Sequence, residues 1–340
     1  MFSAERRFLL LIVCAMAALA ALGLLARDGG RPLEAVTATP VPSHDAAPPL
    51  ARSEAPAPSA VLRPVLATTV VQRFPNVAAL ASPAQSILAD RQIVSYYGNP
   101  YSADMGILGS DDPDTIAHLL EERAEEYDRL NGPTGVISAL HLVYAVAQYH
   151  AAEDGLYLQY VDDGEVEDYI RVAEEHDMLL FIDLQIGRSS VESEFEKALP
   201  YLRNPSVHLA LDPEFAVAAG EVPGDALGSL SAPDINYAQE ALARLVRREA
   251  LPPKLLMVHQ FVDSMVLDGH AIRRYPDVDL IIDMDGFGPA DIKRVKYEEY
   301  AAEPYATHAA IKLFFQHDPD LMSAQDVLAL IPRPDVIIYQ

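Results

Sequence analysis

The sequence predicts an α/β fold, a (β/α)8 barrel of the TIM type occupying residues 76–340. Three observations carry this expectation. Eight short runs rich in apolar and β-branched residues recur with helical patterns between them, and eight such units in about 250 residues match a barrel of this kind. The runs are apolar almost throughout, as in parallel strands covered on both faces. No G-x-G-x-x-G follows any run, so a doubly wound nucleotide-binding sheet has no support.

The runs are 92–97 (QIVSYY), 136–144 (VISALHLVY), 178–185 (MLLFIDLQ) and 207–212 (VHLALD), followed by 254–260 (KLLMVHQ), 279–285 (DLIIDMD), 308–315 (HAAIKLFF) and 335–340 (DVIIYQ). Helical patterns fill 114–129, 166–176, 191–202, 235–249 and 324–330. Ser190 and Ser323 stand where helix N-caps belong, and Asp326 completes a capping-box spacing with Ser323. The eighth run ends the chain, so no outer helix follows it. Residues 76–90 (NVAALASPAQSILAD) are expected to cover the gap between the first and last strands instead.

Before the barrel come two segments of different character. Phe8 to Ala26 is free of charge for 19 residues, preceded by Arg6-Arg7 and followed by Arg27-Asp28. That length approaches the ~20 residues of a membrane-crossing helix. The flanking charges predict a cytoplasmic N-terminus, and residues 1–27 read as a signal anchor or a cleaved signal peptide. Cys14 follows Leu11-Ile12-Val13, without the small residue that precedes a lipidated cysteine. Residues 28–75 are dominated by Pro and Ala without apolar periodicity, the composition of an extended, disordered linker. This order predicts a membrane-anchored protein with its C-terminal domain outside the cytoplasm, or a secreted one after cleavage.

Charge divides in the same place. The chain carries 25 Lys+Arg against 50 Asp+Glu, but residues 88–340 hold 18 and 45 of these, so all the acid excess lies in the barrel. Such a surface argues against nucleic acid as a partner, since a phosphate backbone is bound through concentrated Lys and Arg. One Cys excludes an internal disulfide and a thiolate metal cluster. No G-x-S-x-G elbow, H-E-x-x-H or P-loop is present.

In barrels of this type chemistry sits at the carboxyl ends of the strands. There the sequence places Tyr96, Tyr97 and Asn99, then His141 and Tyr144, then Asp183, Gln185 and Arg188. Asp212 and Glu214 follow, then His259 and Gln260, Asp283 and Asp285, and Lys312. Any single Asp after a buried strand can be the N-cap of the next helix. Asp183 and Asp283, however, lie inside apolar runs, and a period of two puts Asp183 with Gln185, and Asp283 with Asp285, on shared faces. Buried carboxylates need partners, and Arg188, Lys312 and His259 are the cations at hand.

Asp212-Pro213-Glu214 is the most informative triplet, because Pro fixes the backbone where the strand ends. Two carboxylates in different environments can divide into acid and base, as glycoside hydrolysis requires. Glu214 is the candidate acid, with Asp283 or Asp285 opposite it and Asp212 beside it. Sugar rings need flat apolar platforms. Without Trp these fall to Tyr96, Tyr97, Tyr101, Tyr144, Phe215, Phe261 and Phe287. Asp183, Glu214, His259 and Asp285 could hold a divalent ion, but they form no local metal motif, and the reading assigns neither metal nor cofactor.

YYGNPYSADMGILG (96–109), DLQIGRSS (183–190), HLALDPEF (208–215), KLLMVHQF (254–261), DMDGFG (283–288) and VIIYQ (336–340) together resemble an uncharacterised family of secreted or membrane-anchored bacterial barrel proteins. Its members are loosely named lipoproteins or cell-wall-binding proteins, which implies location more than activity. LDPEF is also similar to the fourth strand of many glycoside hydrolase barrels, where an acid Glu stands. The similarity departs at the seventh strand, where IKLFFQHD lacks the nucleophilic Glu, and the chitinase-type D-x-x-D-x-D-x-E run is absent. The expected partner is a carbohydrate or cell-wall polymer. A hydrolase using Glu214, a non-catalytic glycan-binding module and a metal-dependent hydrolase all remain open at this point.

Overall fold

The computed structural model of the protein describes residues 85–340. All eight apolar runs are strands. In chain order the barrel consists of β1 (Arg91–Gly98), α1 (Pro113–Leu130), β2 (Gly135–Ala147), α2 (Asp163–Glu175), β3 (Leu179–Gln185), α3 (Val191–Leu202) and β4 (Val207–Asp212). It continues with α4 (Ala232–Glu249), β5 (Lys254–Gln260), β6 (Val278–Met284), α5 (Ala290–Ala301), β7 (His308–Leu313), α6 (Ala324–Leu328) and β8 (Val336–Tyr339). Every barrel strand pairs in parallel with the next, and β8 closes on β1 from Ile93 opposite Val336 to Tyr96 opposite Tyr339. A short strand, Leu158–Tyr160, adds antiparallel to the end of β2.

The helix starts follow their capping chemistry. The Asp112 carboxylate accepts from the Thr115 amide at 3.0 Å, the Ser190 hydroxyl from the Ser193 amide at 3.1 Å and the Ser323 hydroxyl from the Asp326 amide at 3.2 Å. Helix α5 was not expected from the sequence. Its buried residues are Lys293, Tyr297 and Tyr300 while Val295 is exposed, so its inward face carries no aliphatic stripe.

Alternation along the strands makes two cores. Inward-facing Ile93, Ile137, Leu179, Phe181, Leu255, Met257, Ile281, Val336 and Ile338 fill the barrel. Outward-facing residues such as Leu180, Leu209, Leu256, Leu280, Ile311 and Ile337 pack under the helices. Ile87 and Leu88 join the inward set. This corrects the role expected for residues 76–90: their described part packs with the barrel interior and does not cover the outside of the seam, and residues 76–84 lie outside the described residues. The outer face of β8 and β1 is closed by α1. There the Tyr127 and Tyr339 hydroxyls meet at 2.7 Å and the Arg123 guanidinium lies 5.0 Å from the Tyr339 ring centre.

No helix among the described residues is long and apolar enough to cross a membrane. The apolar stretch 8–26 and the Pro/Ala-rich residues 28–75 fall outside the described residues.

Candidate active site

The inward face that is apolar in the lower barrel turns polar toward the carboxyl ends. His141 of β2, Asp183 and Gln185 of β3, Asp212 of β4, His259 of β5, Asp283 of β6 and Lys312 of β7 are all buried there, with Asp285 one residue past β6. The period of two brings them together. Each lies an even number of residues from an apolar inward neighbour, as Asp183 does from Phe181 and Asp283 from Ile281.

His259 is the hub. Its Nδ1 is 2.8 Å from Asp283 Oδ2 and 3.5 Å from Asp285 Oδ2, and its Nε2 is 3.2 Å from Asp183 Oδ2. With a carboxylate at each nitrogen, both nitrogens donate and the ring is an imidazolium. Burial by itself would lower its pKa; the Asp183 charge, the hydrogen bonds to Asp183 and Asp283 and the Asp285 charge outweigh burial and hold it well above the ordinary value. The same interaction works in reverse on Asp183. Burial would raise its pKa, but the His259 charge and hydrogen bonds from His141 and His259 hold it well below the usual carboxylate range. His141 Nε2 lies 3.3 Å from the same Asp183 oxygen, and its ring stacks on Phe181 at 5.2 Å. Burial lowers the His141 pKa, against the pull of Asp183, which favours the neutral imidazole.

Above this layer Lys312 Nζ reaches both Asp285 oxygens, at 3.1 and 3.2 Å, and lies 3.5 Å from the centre of the Tyr97 ring. Asp212 Oδ1 accepts from the Glu214 amide at 3.0 Å, and Gln185 Nε2 approaches Asp212 Oδ2 at 3.4 Å. This is an Asx turn, so the side chain that ends β4 also shapes the turn that presents Glu214. Gly228 holds the other side of the turn: its amide donates to the Glu214 carbonyl at 2.6 Å. A Cβ on Gly228 would stand 2.5 Å from both the Pro213 carbonyl oxygen and the Ala216 amide nitrogen, so only glycine allows this approach.

The upper carboxylates differ from Asp183. Burial, with the charges of Asp212 and Asp285, raises the Glu214 pKa well above its ordinary value. Burial chiefly, with the charges of Asp183 and Asp285, pushes Asp212 up to about 7 against the attraction of His259. Burial also raises Asp285, opposed by Lys312 and His259. These surroundings favour the protonated form of Glu214, whose residue is partly open to solvent, while Asp285 is ion-paired with Lys312.

The raised Asp212 gives a pH test. A carboxyl with a folded pKa of about 7 binds a proton more tightly than in the unfolded chain, so its contribution is full below the unfolded value and lost as pH rises through 7. Asp212→Asn keeps a neutral side chain at every pH. Thermal unfolding of this variant is expected to show a Tm near that of the native protein at about pH 3.5, below the unfolded carboxyl value, and increasingly above it from pH 5 to pH 8.5. A lower Tm at pH 8.5 would mean that the ionised form is the stable one.

Several expected site residues are placed elsewhere. Tyr96 and Tyr144 pack with the outward core, Tyr96 against the Leu119 carbonyl and Tyr144 against Tyr160 and Tyr201. They alternate with inward Tyr97 and Val143, so neither can line the mouth. Gln260 is outward for the same reason, next after His259, and its Oε1 accepts from Tyr305 at 3.4 Å. Asn99 is a brace: its Nδ2 donates to the Val143 carbonyl at 2.9 Å and its Oδ1 accepts from the Tyr101 amide at 3.0 Å. Arg188 pairs with none of the interior carboxylates. It donates to the Glu221 carbonyl at 2.6 Å and stacks on Tyr157. Among the expected aromatic platforms, Phe215 is buried with Ala147 and Leu158, whereas Phe287 stands by Phe314 and His317, with ring centres 6.0 and 5.7 Å away.

Sequence reasoning missed one supporting group. Lys293 of α5 donates to the Gly286 carbonyl at 2.6 Å and the Lys312 carbonyl at 2.7 Å and pairs with Asp318 at 3.1 Å. Asp318 in turn accepts from the Gly288 and Phe314 amides at 2.8 and 2.9 Å. A buried lysine thus ties the end of β7, which carries Lys312, to the loop after β6 that follows Asp285 and to the loop after β7. No local motif announces it; a Lys on the inward side of an otherwise weakly patterned helix is the only trace.

Two overlapping groups have the residue types of a metal site. The ligand atoms of His141, Asp183 and His259, and those of His259, Asp283 and Asp285, lie within 4.8 Å of one another. Both sets need His259, whose two nitrogens already face carboxylates, so an ion there would have to replace the imidazolium charge.

No family model matches the chain, and no curated protein matches it. Among solved structures it is similar to a GH18 chitinase from Pseudoalteromonas aurantia, at 11% identity and a TM-score of 0.39, over 73% of this chain and 93% of that one. It is also similar to oxaloacetate acetylhydrolase in complex with the product oxalate, at 11% identity and a TM-score of 0.42, over 78% of this chain and 80% of the other. At this distance neither likeness speaks to activity or substrate.

Proposed function

We propose that this barrel is a glycoside hydrolase-like enzyme acting on a cell-envelope or extracellular glycan. One observation carries the reading: at the carboxyl ends of the strands, the Asp212 side chain builds the turn that presents a partly open Glu214, among buried carboxylates that include Asp285 paired with Lys312. Burial and the charges of Asp212 and Asp285 favour the protonated form of Glu214. In the proposed step Glu214 gives its proton to the glycosidic oxygen as the C–O bond breaks, and water supplies the hydroxyl of the new reducing end. Asp285 carries negative charge toward the anomeric carbon or takes the proton of that water. Phe287 offers a flat apolar surface at the end of β6. Export by residues 1–27 and tethering by residues 28–75 belong to the same proposal and rest on the sequence alone.

The test is a panel of neutral polysaccharides and cell-wall glycans incubated with the full chain, followed by reducing-end release. Hydrolysis of at least one substrate is expected. Tight binding to a glycan with no new reducing ends across the panel would favour a non-catalytic binding module.

The convergence of His141, Asp183 and His259 favours a second reading, a metal-dependent hydrolase. Activity that survives exhaustive chelation excludes it, and activity restored only by a divalent ion selects it over the carboxylate mechanism.

A further inference from the structure

A second cluster of ligand-type side chains lies on the helices and takes no part in the site just described. Helix α1 presents His118 and Glu121, three residues apart and so on one face. Helix α2 ends at His176, its C-cap residue, and packing of α2 against α1 brings this ring to the same spot. Glu121 sits between the two imidazoles: its Oε1 is 2.8 Å from His176 Nδ1 and its Oε2 is 3.2 Å from His118 Nδ1. The rings lie edge to face with centres 4.8 Å apart, and the three ligand atoms fall within 4.8 Å of one another.

We infer that His118, Glu121 and His176 form a binding site for a divalent transition ion of the zinc type, which staples α1 to α2. The donor set is the first reason. Two imidazole nitrogens and one carboxylate, with the remaining positions open to water, suit Zn²⁺ and its neighbours and disfavour Mg²⁺ or Ca²⁺, which take oxygen. The second reason lies behind the ligands. A ligating histidine usually gives its other nitrogen to a carboxylate, which fixes the tautomer. Asp114 Oδ1 stands 4.0 Å from His176 Nε2, near enough to take up that role with a small side-chain movement although no hydrogen bond joins them here, and Arg171 holds that carboxylate by its other oxygen at 3.2 Å. The 2.8 Å contact with Glu121 turns His176 Nδ1 toward the site, and the side chain is only 13% exposed. His118 is 70% exposed, which leaves the site open to ions from solution. The sequence hides all this, because His118 and His176 belong to different helices and no short motif joins them.

The full chain, stripped of metal by chelation and dialysed, is titrated with ZnCl2 by calorimetry, with thermal unfolding measured in parallel. One saturable site per chain is expected from this cluster, with no comparable response to MgCl2. At a hundred-fold excess over Kd, mass action predicts a Tm rise of roughly 5–10 °C. His118→Ala is expected to weaken binding at least ten-fold and to remove most of that rise. Because His118 is exposed, this variant leaves the apo Tm near that of the native chain. His176→Ala is expected to do the same to affinity, and CoCl2 is expected to give a visible absorption band that both variants lose. Non-saturating Zn²⁺ uptake would overturn the assignment. So would a Zn²⁺ affinity and cobalt band unchanged in His118→Ala, which would put the ion at other histidines.

Discussion

Replacing Glu214 by Gln is expected to lower kcat/KM for glycan hydrolysis by about 10²–10⁴, the usual contribution of a positioned general acid. Gln matches the shape of a protonated Glu and carries no charge, as Glu214 itself does when burial and its carboxylate neighbours hold its proton. The turn it stands on is built from the Asp212 side chain and the Glu214 backbone, which the substitution leaves intact. Tm and glycan affinity are therefore expected to stay near native values while turnover collapses. Leaving-group dependence sharpens the test. A glycoside with an acidic phenol as leaving group needs little protonation, so its hydrolysis is expected to fall far less than that of a natural glycan. Equal rates for the native protein and the Glu214→Gln variant on natural glycan would remove Glu214 from the chemistry.

The second large effect is on stability. His259→Ala is expected to cost about 3–5 kcal/mol, the range found when one partner of a buried ion pair is removed. Asp183 and Asp283 are both fully buried, and His259 is the cation between them. Deleting the ring leaves two carboxylates to be protonated or hydrated inside the barrel. Asp183→Asn in the His259→Ala background is expected to recover part of the loss, because it removes one of the stranded charges; a double-mutant cycle measures the coupling. Purely additive losses would mean that the ring matters for packing alone. The pH dependence has a definite sign. The raised His259 contributes fully below its unfolded value of about 6.5 and loses that contribution as pH rises through its folded value. The depressed Asp183 contributes above about 3.9 and loses its contribution as pH falls. Together they support the fold across the neutral range and fail toward both extremes.

Much of this barrel was legible in order. The eight apolar runs became its eight strands because a buried parallel strand must be apolar on both faces, which leaves a long signal in the chain. The caps at Ser190 and Ser323 were equally plain, since capping is local chemistry. Helix α5 escaped because it buries Lys293 and two tyrosines in place of leucines.

The sequence alone also determined which polar side chains share a face of each strand. Asp183 with Gln185 and Asp283 with Asp285 share the inward face, and the same alternation excludes Tyr96, Tyr144 and Gln260, each an odd number of residues from an inward neighbour. Reading that period strictly would have removed those three. What only the tertiary structure decided is which cation meets which anion. His259 takes Asp183 and Asp283, Lys312 takes Asp285, and Arg188 takes none, turning to the Glu221 carbonyl. The reason is geometric. Alternation along one strand fixes a side chain's face, but its neighbours across the barrel depend on strand tilt and on the closure of β8 onto β1. Neither is encoded within any single strand.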